Sequence, residues 1–175
     1  MTSPEPDFSV EWVTGDTAKR SDPGILARFL AKIVRAHPSY ISHGEYYDGL
    51  SPDFKTWSDD LQARYESAFR TALFDRSSIR VARASAHDGS LCGVVVADIG
   101  DNGTERYWIV QDLGVAPHIR GRGVGAALLK AVASAAKADG ANRLILESGA
   151  DNETAHALFL RQGFSPVSKV FSCTL

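Results

Sequence analysis

The chain has 175 residues, 44% of them apolar and 23% charged, enough for one compact domain (1–175) with a full-sized core. Nineteen Lys and Arg against 21 Asp and Glu leave a formal net charge of -2, which gives no global pull toward nucleic acid or an anionic membrane. No apolar run approaches the ~20 residues of a membrane span. Residues 1–7 are polar and acidic, and read as a flexible leader rather than a signal peptide. Cys92 and Cys173 read as buried free thiols of a reducing cytoplasm. No His, Cys and Asp grouping has metal-ligand spacing, so no metal is expected.

Phe8, Val10 and Trp12 alternate with polar residues and predict a first strand. Asp22-Pro23 predicts a helix start, a capping carboxylate followed by proline at the first helical position. Ile25, Leu26, Phe29, Leu30, Ile33 and Val34 mark one face, and His37-Pro38 stops the helix near Ala36. From His37 to Thr56 the pattern breaks. This stretch carries His37, Tyr40, His43, Glu45, Tyr46, Tyr47 and Asp48, and a loop of that length implies a function. Trp57, Leu61, Tyr65, Phe69 and Leu73 recur at every fourth position and predict a second amphipathic helix.

Ser78 to Ala86 and Leu91 to Ile99 read as strands joined by the Asp88-Gly89 turn. Asp101-Asn102-Gly103 turns the chain again, and Tyr107 to Val115 completes a three-strand meander. A helix with Val124, Leu128, Val132 and Ala135 on one face runs to Gly140. Arg143 to Glu147 follows as a short strand, parallel to the one before the helix because a crossover connects them. Asp151 or Asn152 caps a helix through Gln162, and Val167 to Leu175 is the last expected strand. The predicted fold is a mixed α/β (α+β) sheet of about six to seven strands with helices on both faces, in the order β-α-α-β-β-β-α-β-α-β.

Between the third meander strand and the crossover helix lies Leu113 to Gly125. Gly121, Gly123 and Gly125 alternate where the helix begins, with Arg120 and Arg122 in the same turn. A helix N-terminus has unpaired N–H groups and a positive dipole end, and glycines let a phosphate approach them. This predicts a pyrophosphate cradle. A Walker loop is excluded because no Gly-x-x-x-x-Gly-Lys-Ser/Thr occurs. A dinucleotide fold is disfavoured by the glycine spacing and by the antiparallel strands before it.

Arg120-Gly121-Arg122-Gly123-Val124-Gly125 resembles the acyl-CoA signature of the GNAT superfamily of N-acetyltransferases: Arg or Gln, two residues, Gly, one residue, Gly or Ala. Asp112-Leu113-Gly114-Val115-Ala116-Pro117 and the later Asn152-Glu153-Thr154-Ala155 helix ending in Gly163-Phe164 also resemble that family. The resemblance implies acetyl-CoA as co-substrate, held through its pyrophosphate by the N–H groups of about Arg120 to Gly125. It implies a bulge near Leu113–Val115 that splays this strand from the next. The main chain of Leu113 and Val115 would then pair with the pantetheine arm, and one N–H would polarise the thioester carbonyl. Gly114 fits either a bulge or a close backbone approach. The resemblance also implies that Asn152 and Phe159 lie on the cofactor side, although Asn152 equally fits a simple helix cap.

The implied reaction moves an acetyl group directly to a primary amine, without a covalent enzyme intermediate. Glu147 is the expected base, its position matching the Leu-Glu of N-terminal protein acetyltransferases in the superfamily, with Asp112 as the alternative. The family's usual acid is a tyrosine before Gly-Phe, and here that position is Phe159, which has no proton to give. That departure leaves a non-catalytic or weakly active CoA-binding or regulatory module as the second reading. The acceptor, a small-molecule amine or a peptide or protein amine, is expected under the long loop, framed by His37, Tyr40, His43, Glu45 and Tyr46. Neither nucleic acid nor membrane is an expected partner, a homodimer is left open, and the expected location is the cytoplasm.

Overall fold

The computed structural model describes residues 7–75 and 78–175. Five strands form one sheet: β1 (Phe8–Trp12), β2 (Arg80–Ala86), β3 (Leu91–Asp101), β4 (Arg106–Val115) and β5 (Arg143–Leu146). They lie in chain order, with β1 to β4 antiparallel and β5 parallel to β4. The helices are α1 (Gly15–Lys19), α2 (Pro23–Arg35), α3 (His43–Tyr47), α4 (Leu61–Phe74), α5 (Val124–Ala138) and α6 (Glu153–Arg161).

Strand alternation sends two sets of side chains to opposite faces. Ala82, Val95, Ala97, Trp108 and Val110 face α5, whose Leu128, Leu129 and Val132 complete one core. Val81 and Val94 face the other way, toward Leu26 and Leu30 of α2 and Leu61, Tyr65 and Phe69 of α4. Leu30, Leu61 and Leu128 are fully enclosed, and each contributes about 2 kcal/mol by leaving water. A polar clasp ties the end of α5 to β4. Asp139 accepts from Arg106 at 2.6 Å and from the Trp108 indole at 2.9 Å.

The start of α2 is set locally. Asp22 accepts from the Gly24 N–H at 2.8 Å, Pro23 occupies the first turn, and Ala36 closes the helix before His37-Pro38. Four expectations change. The helix expected from Trp57 begins at Leu61, because residues 52–60 form bends and turns in which Ser58 and Asp60 bond each other. The long loop holds α3 and a 3-10 turn at Pro38–Tyr40. Val167–Leu175 is not a strand: it pairs with nothing, and Val167 and Phe171 are 86% and 88% exposed. An extended segment becomes a strand only where a sheet edge accepts it, so the sheet has five strands rather than six or seven. Cys173, in the same segment, is exposed instead of buried, whereas Cys92 is buried as expected.

Candidate functional site

The site lies where β4 and β5 part. Their parallel pairing runs from Tyr107 with Arg143 to Val110 with Leu146 and stops there. On the other side of β4, Val96 faces Asp112 while Ala97 faces Val110, so Gln111 is an extra residue. A bulge bends its strand and ends regular pairing. The bulge is therefore at Gln111, not at Leu113–Val115, and those three residues form the bent continuation. They stay paired with β3 but have no β5 residue opposite them.

Gly114 is not the bulge. A Cβ there would stand 2.8 Å from Cδ1 of Leu30, so glycine lets α2 lie on the strand. On the opposite face Gly93 does the same for α5, where a Cβ would meet Leu128 and Val124 at 2.9 and 3.0 Å.

Beside the bent end of β4 is the start of α5. Gly121 and Gly123 have φ of 79° and 86°, conformations that an L side chain resists. A Cβ on either would meet nothing within 4 Å, so the turn is open above these residues. Gly123 is the N-cap and supplies no side-chain cap. The N–H groups from Gly123 through the first turn therefore have no intrahelical acceptor. Gly125 serves packing, since a Cβ would stand 3.2 Å from Leu158 of α6. The combination of an uncapped helix end, glycines and a free strand edge fits a pyrophosphate with an extended arm. Arg120 lies over that edge. Its Nε donates to the Val115 carbonyl at 3.2 Å, and its Nη1 stands 3.4 Å from Nε2 of His37. Arg122 is exposed and pairs loosely with Asp7 at 3.4 Å.

The segment after β5 carries Glu147. His43 of α3 contacts it, Nδ1 to Oε1, at 2.6 Å. The loop and this segment touch closely. A Cβ on Gly149 would lie 2.1 Å from the Ser39 carbonyl oxygen and 2.6 Å from that of Ile41. Burial raises the Glu147 carboxyl above its usual range. His43 opposes that, and Glu45 and Asp48 add to it.

Asp112 follows the bulge. Part of the residue is accessible, but its carboxyl is enclosed by protein. It accepts from the Tyr65 hydroxyl at 2.9 Å. Burial pushes Asp112 up to about 7 against the Tyr65 hydrogen bond, and Glu45 and Asp48 push it further. Tyr65 is driven well above its ordinary value by burial and by Asp112. A small cavity of about 30 Å³ between Tyr65, Phe69, Ile79, Val96 and Asp112 adjoins the pair.

The expected loop residues divide. His43 reaches Glu147, whereas His37 stacks on Tyr40 at 4.6 Å and reaches Arg120. Glu45 is engaged locally, accepting from the Ser42 N–H and hydroxyl at 2.7 and 2.6 Å. Tyr46 stacks on Phe54 at 4.2 Å. Asn152 accepts from the Ala155 N–H at 3.3 Å, the cap geometry. Phe159 packs edge-on against Phe164 at 6.1 Å and against the sheet core. Tyr65 and Gly149 were not singled out from the sequence. Tyr65 sat in a helical apolar stripe, and the signal was its hydroxyl, which needs a partner when buried.

The sequence model of the acetyltransferase (GNAT) family matches residues 44–164. No curated relative matches the sequence. Solved structures share the fold across nearly the whole chain. AAC(6')-Iy in complex with a bisubstrate analog, CoA-S-monomethyl-acetylneamine, is 16% identical with a TM-score of 0.65, over 96% of this chain and 97% of that one. An aminoglycoside acetyltransferase from an uncultured soil metagenomic sample is 17% identical with a TM-score of 0.63, over 96% and 98%. A transcriptional regulator from Bacillus halodurans is 15% identical with a TM-score of 0.67, over 96% and 99%. With the family match running from within α3 through the split strands and the glycine turn to the end of α6, this chain belongs to the GNAT family of acetyltransferases.

Proposed function

We propose that the chain, as one domain over residues 1–175, transfers an acetyl group from acetyl-CoA to a primary amine in a ternary complex. The observation that carries this is the unpaired β4 edge after Gln111, lying beside the uncapped, glycine-led start of α5. Residues Arg120 to Gly125 hold the pyrophosphate through backbone N–H groups, with Arg120 adding charge. Leu113 and Val115 present their main chain to the arm. Asn152 and Phe159 flank it. Acetyl-CoA supplies the activated acyl carbon.

The acceptor is a small cationic amine. Glu45 and Asp48 lie close enough to Asp112 and Glu147 to raise both, and this collection of carboxyl groups favours a positively charged guest. Two of the structures with the same fold concern aminoglycosides, which supports that class over a peptide amine. Glu147 takes part in removing the ammonium proton, and Asp112 stands second. The steps call only on acid–base groups and backbone donors. A cytoplasmic location fits the free thiols, and no helix among the described residues is long and apolar enough to cross a membrane. A second copy covering the exposed Val167, Val170 and Phe171 would give a homodimer.

The test is calorimetry with acetyl-CoA followed by thiol release over a panel of polyamines, aminoglycosides and peptide amines. Saturable binding with turnover of at least one amine is expected. Glu147→Gln should lower turnover by about tenfold or more while leaving acetyl-CoA affinity within about twofold. A second reading, a CoA-binding regulatory module, is favoured by Phe159 and by the regulator that shares the fold. It predicts CoA binding without turnover of any amine.

A further inference from the structure

Resting on the transferase reading, we propose that the base is a histidine–carboxylate pair. The His43 imidazole takes the acceptor's proton, and Glu147 is the positioning residue that holds it. The 2.6 Å contact joins Nδ1 of His43 to Oε1 of Glu147. A carboxylate is an acceptor only, so Nδ1 carries the hydrogen and Nε2 of the neutral ring is left with the basic lone pair. Among the described residues Nε2 has no hydrogen-bond partner, and the side chain is 32% exposed. A ring with its protonated nitrogen fixed by a carboxylate and its other nitrogen open is the arrangement a general base needs.

The surroundings hold the pair in place. Gly44 lets α3 approach Glu147, since a Cβ there would stand 3.3 Å from Oε2. The Ser42–Glu45 capping box fixes the start of α3. The Tyr47 ring meets the imidazole edge-on at 5.8 Å. The charged groups facing the pair are Glu45 and Asp48. Their negative charge opposes a full charge on Glu147 acting alone as the base.

The proton count closes. One ammonium proton passes to Nε2 of His43. The freed nitrogen attacks the thioester carbonyl carbon, and the C–S bond breaks with its electron pair on sulfur. A second N–H proton leaves the nitrogen as the amide forms and neutralises the thiolate. The imidazolium then releases its proton to water. No tyrosine is required at position 159, where the chain has Phe159.

The experiment compares wild type, His43→Ala, His43→Gln and Glu147→Gln in thiol release on the best amine of the panel. Each is measured from pH 5.5 to 9, with and without added imidazole, and melting temperatures check the fold. The pair predicts a fall in kcat of about 100-fold for His43→Ala, with KM for acetyl-CoA unchanged within about twofold. It also predicts recovery of tenfold or more by imidazole, and an acidic limb in Glu147→Gln moved to lower pH by about one unit. A folded His43→Gln that lowers kcat without shifting KM for acetyl-CoA adds support. His43 variants with wild-type kcat beside an impaired Glu147→Gln overturn the pair but leave the transferase reading standing. So does a loss that imidazole does not restore and that leaves the acidic limb in place. Wild type that binds acetyl-CoA and turns over no amine overturns both.

Discussion

The Tyr65 hydroxyl of α4 donates to the Asp112 carboxyl just after the β4 bulge, at 2.9 Å and 47 positions apart in sequence. The bond joins a helix of one core layer to the split in the sheet.

This pair predicts a pH dependence of stability. Burial raises Asp112 from 3.8 to about 7 in the folded chain. The unfolded chain ionises first as pH rises, so the folded state holds one proton more across that window. Stability therefore falls as pH climbs from about 4 to about 7, by at most about 4 kcal/mol, and then levels off. Asp112→Asn cannot ionise and loses this slope. Urea unfolding at pH 5 and pH 8 should show wild type losing more stability than Asp112→Asn, and parallel losses would refute the assignment. Tyr65→Phe should cost about 1–3 kcal/mol, because it leaves a buried carboxyl without its donor.

Two glycines should differ in their response to alanine. At Gly114 the obstacle is the tip of the Leu30 side chain, which can rotate, so Gly114→Ala should cost about 1 kcal/mol. At Gly149 the obstacles are the backbone oxygens of Ser39 and Ile41. Gly149→Ala must displace the loop and should cost about 3 kcal/mol. It should also raise KM for the amine. Chemical denaturation and steady-state kinetics check both.

The arginines of the glycine turn should not be equivalent. Arg120 sits over the free β4 edge, while Arg122 pairs with Asp7 in solvent. Arg120→Ala should weaken acetyl-CoA by about tenfold, the loss of one charge-assisted hydrogen bond. Arg122→Ala should change affinity by less than about threefold, with that small effect vanishing at high salt. Calorimetry at two ionic strengths decides.

Phe159 offers a gain-of-function test. Its ring packs edge-on against Phe164 and is partly buried. Phe159→Tyr should keep the fold and the acetyl-CoA affinity while raising kcat by about tenfold at pH 7, through a hydroxyl able to protonate the thiolate. Unchanged kcat would mean that thiolate departure is not limiting.

The glycine turn, the strand before it and the α2 cap were legible because each depends on neighbours within a few residues. Gly121 and Gly123 adopt left-handed backbone for that local reason. Asp112 and Glu147 were legible as positions in a recurring pattern, but their environments were not. Tyr65 reaches Asp112 from another layer, and His43 reaches Glu147 across 104 positions (147 − 43) of the chain. The strand expected at Val167–Leu175 failed because a segment's own residues do not supply the partner edge a strand needs.

The sequence by itself determined the strand–turn–helix with its open helix N-terminus, since backbone conformation and N–H exposure there follow from glycine chemistry. It also determined the absence of a hydroxyl at position 159. Only the tertiary structure decided where β4 leaves β5, that Gln111 rather than Gly114 makes the bulge, and that His43 and Glu147 meet. Those depend on packing between distant segments: α2 lying on Gly114, and the 37–48 loop pressed against Gly149.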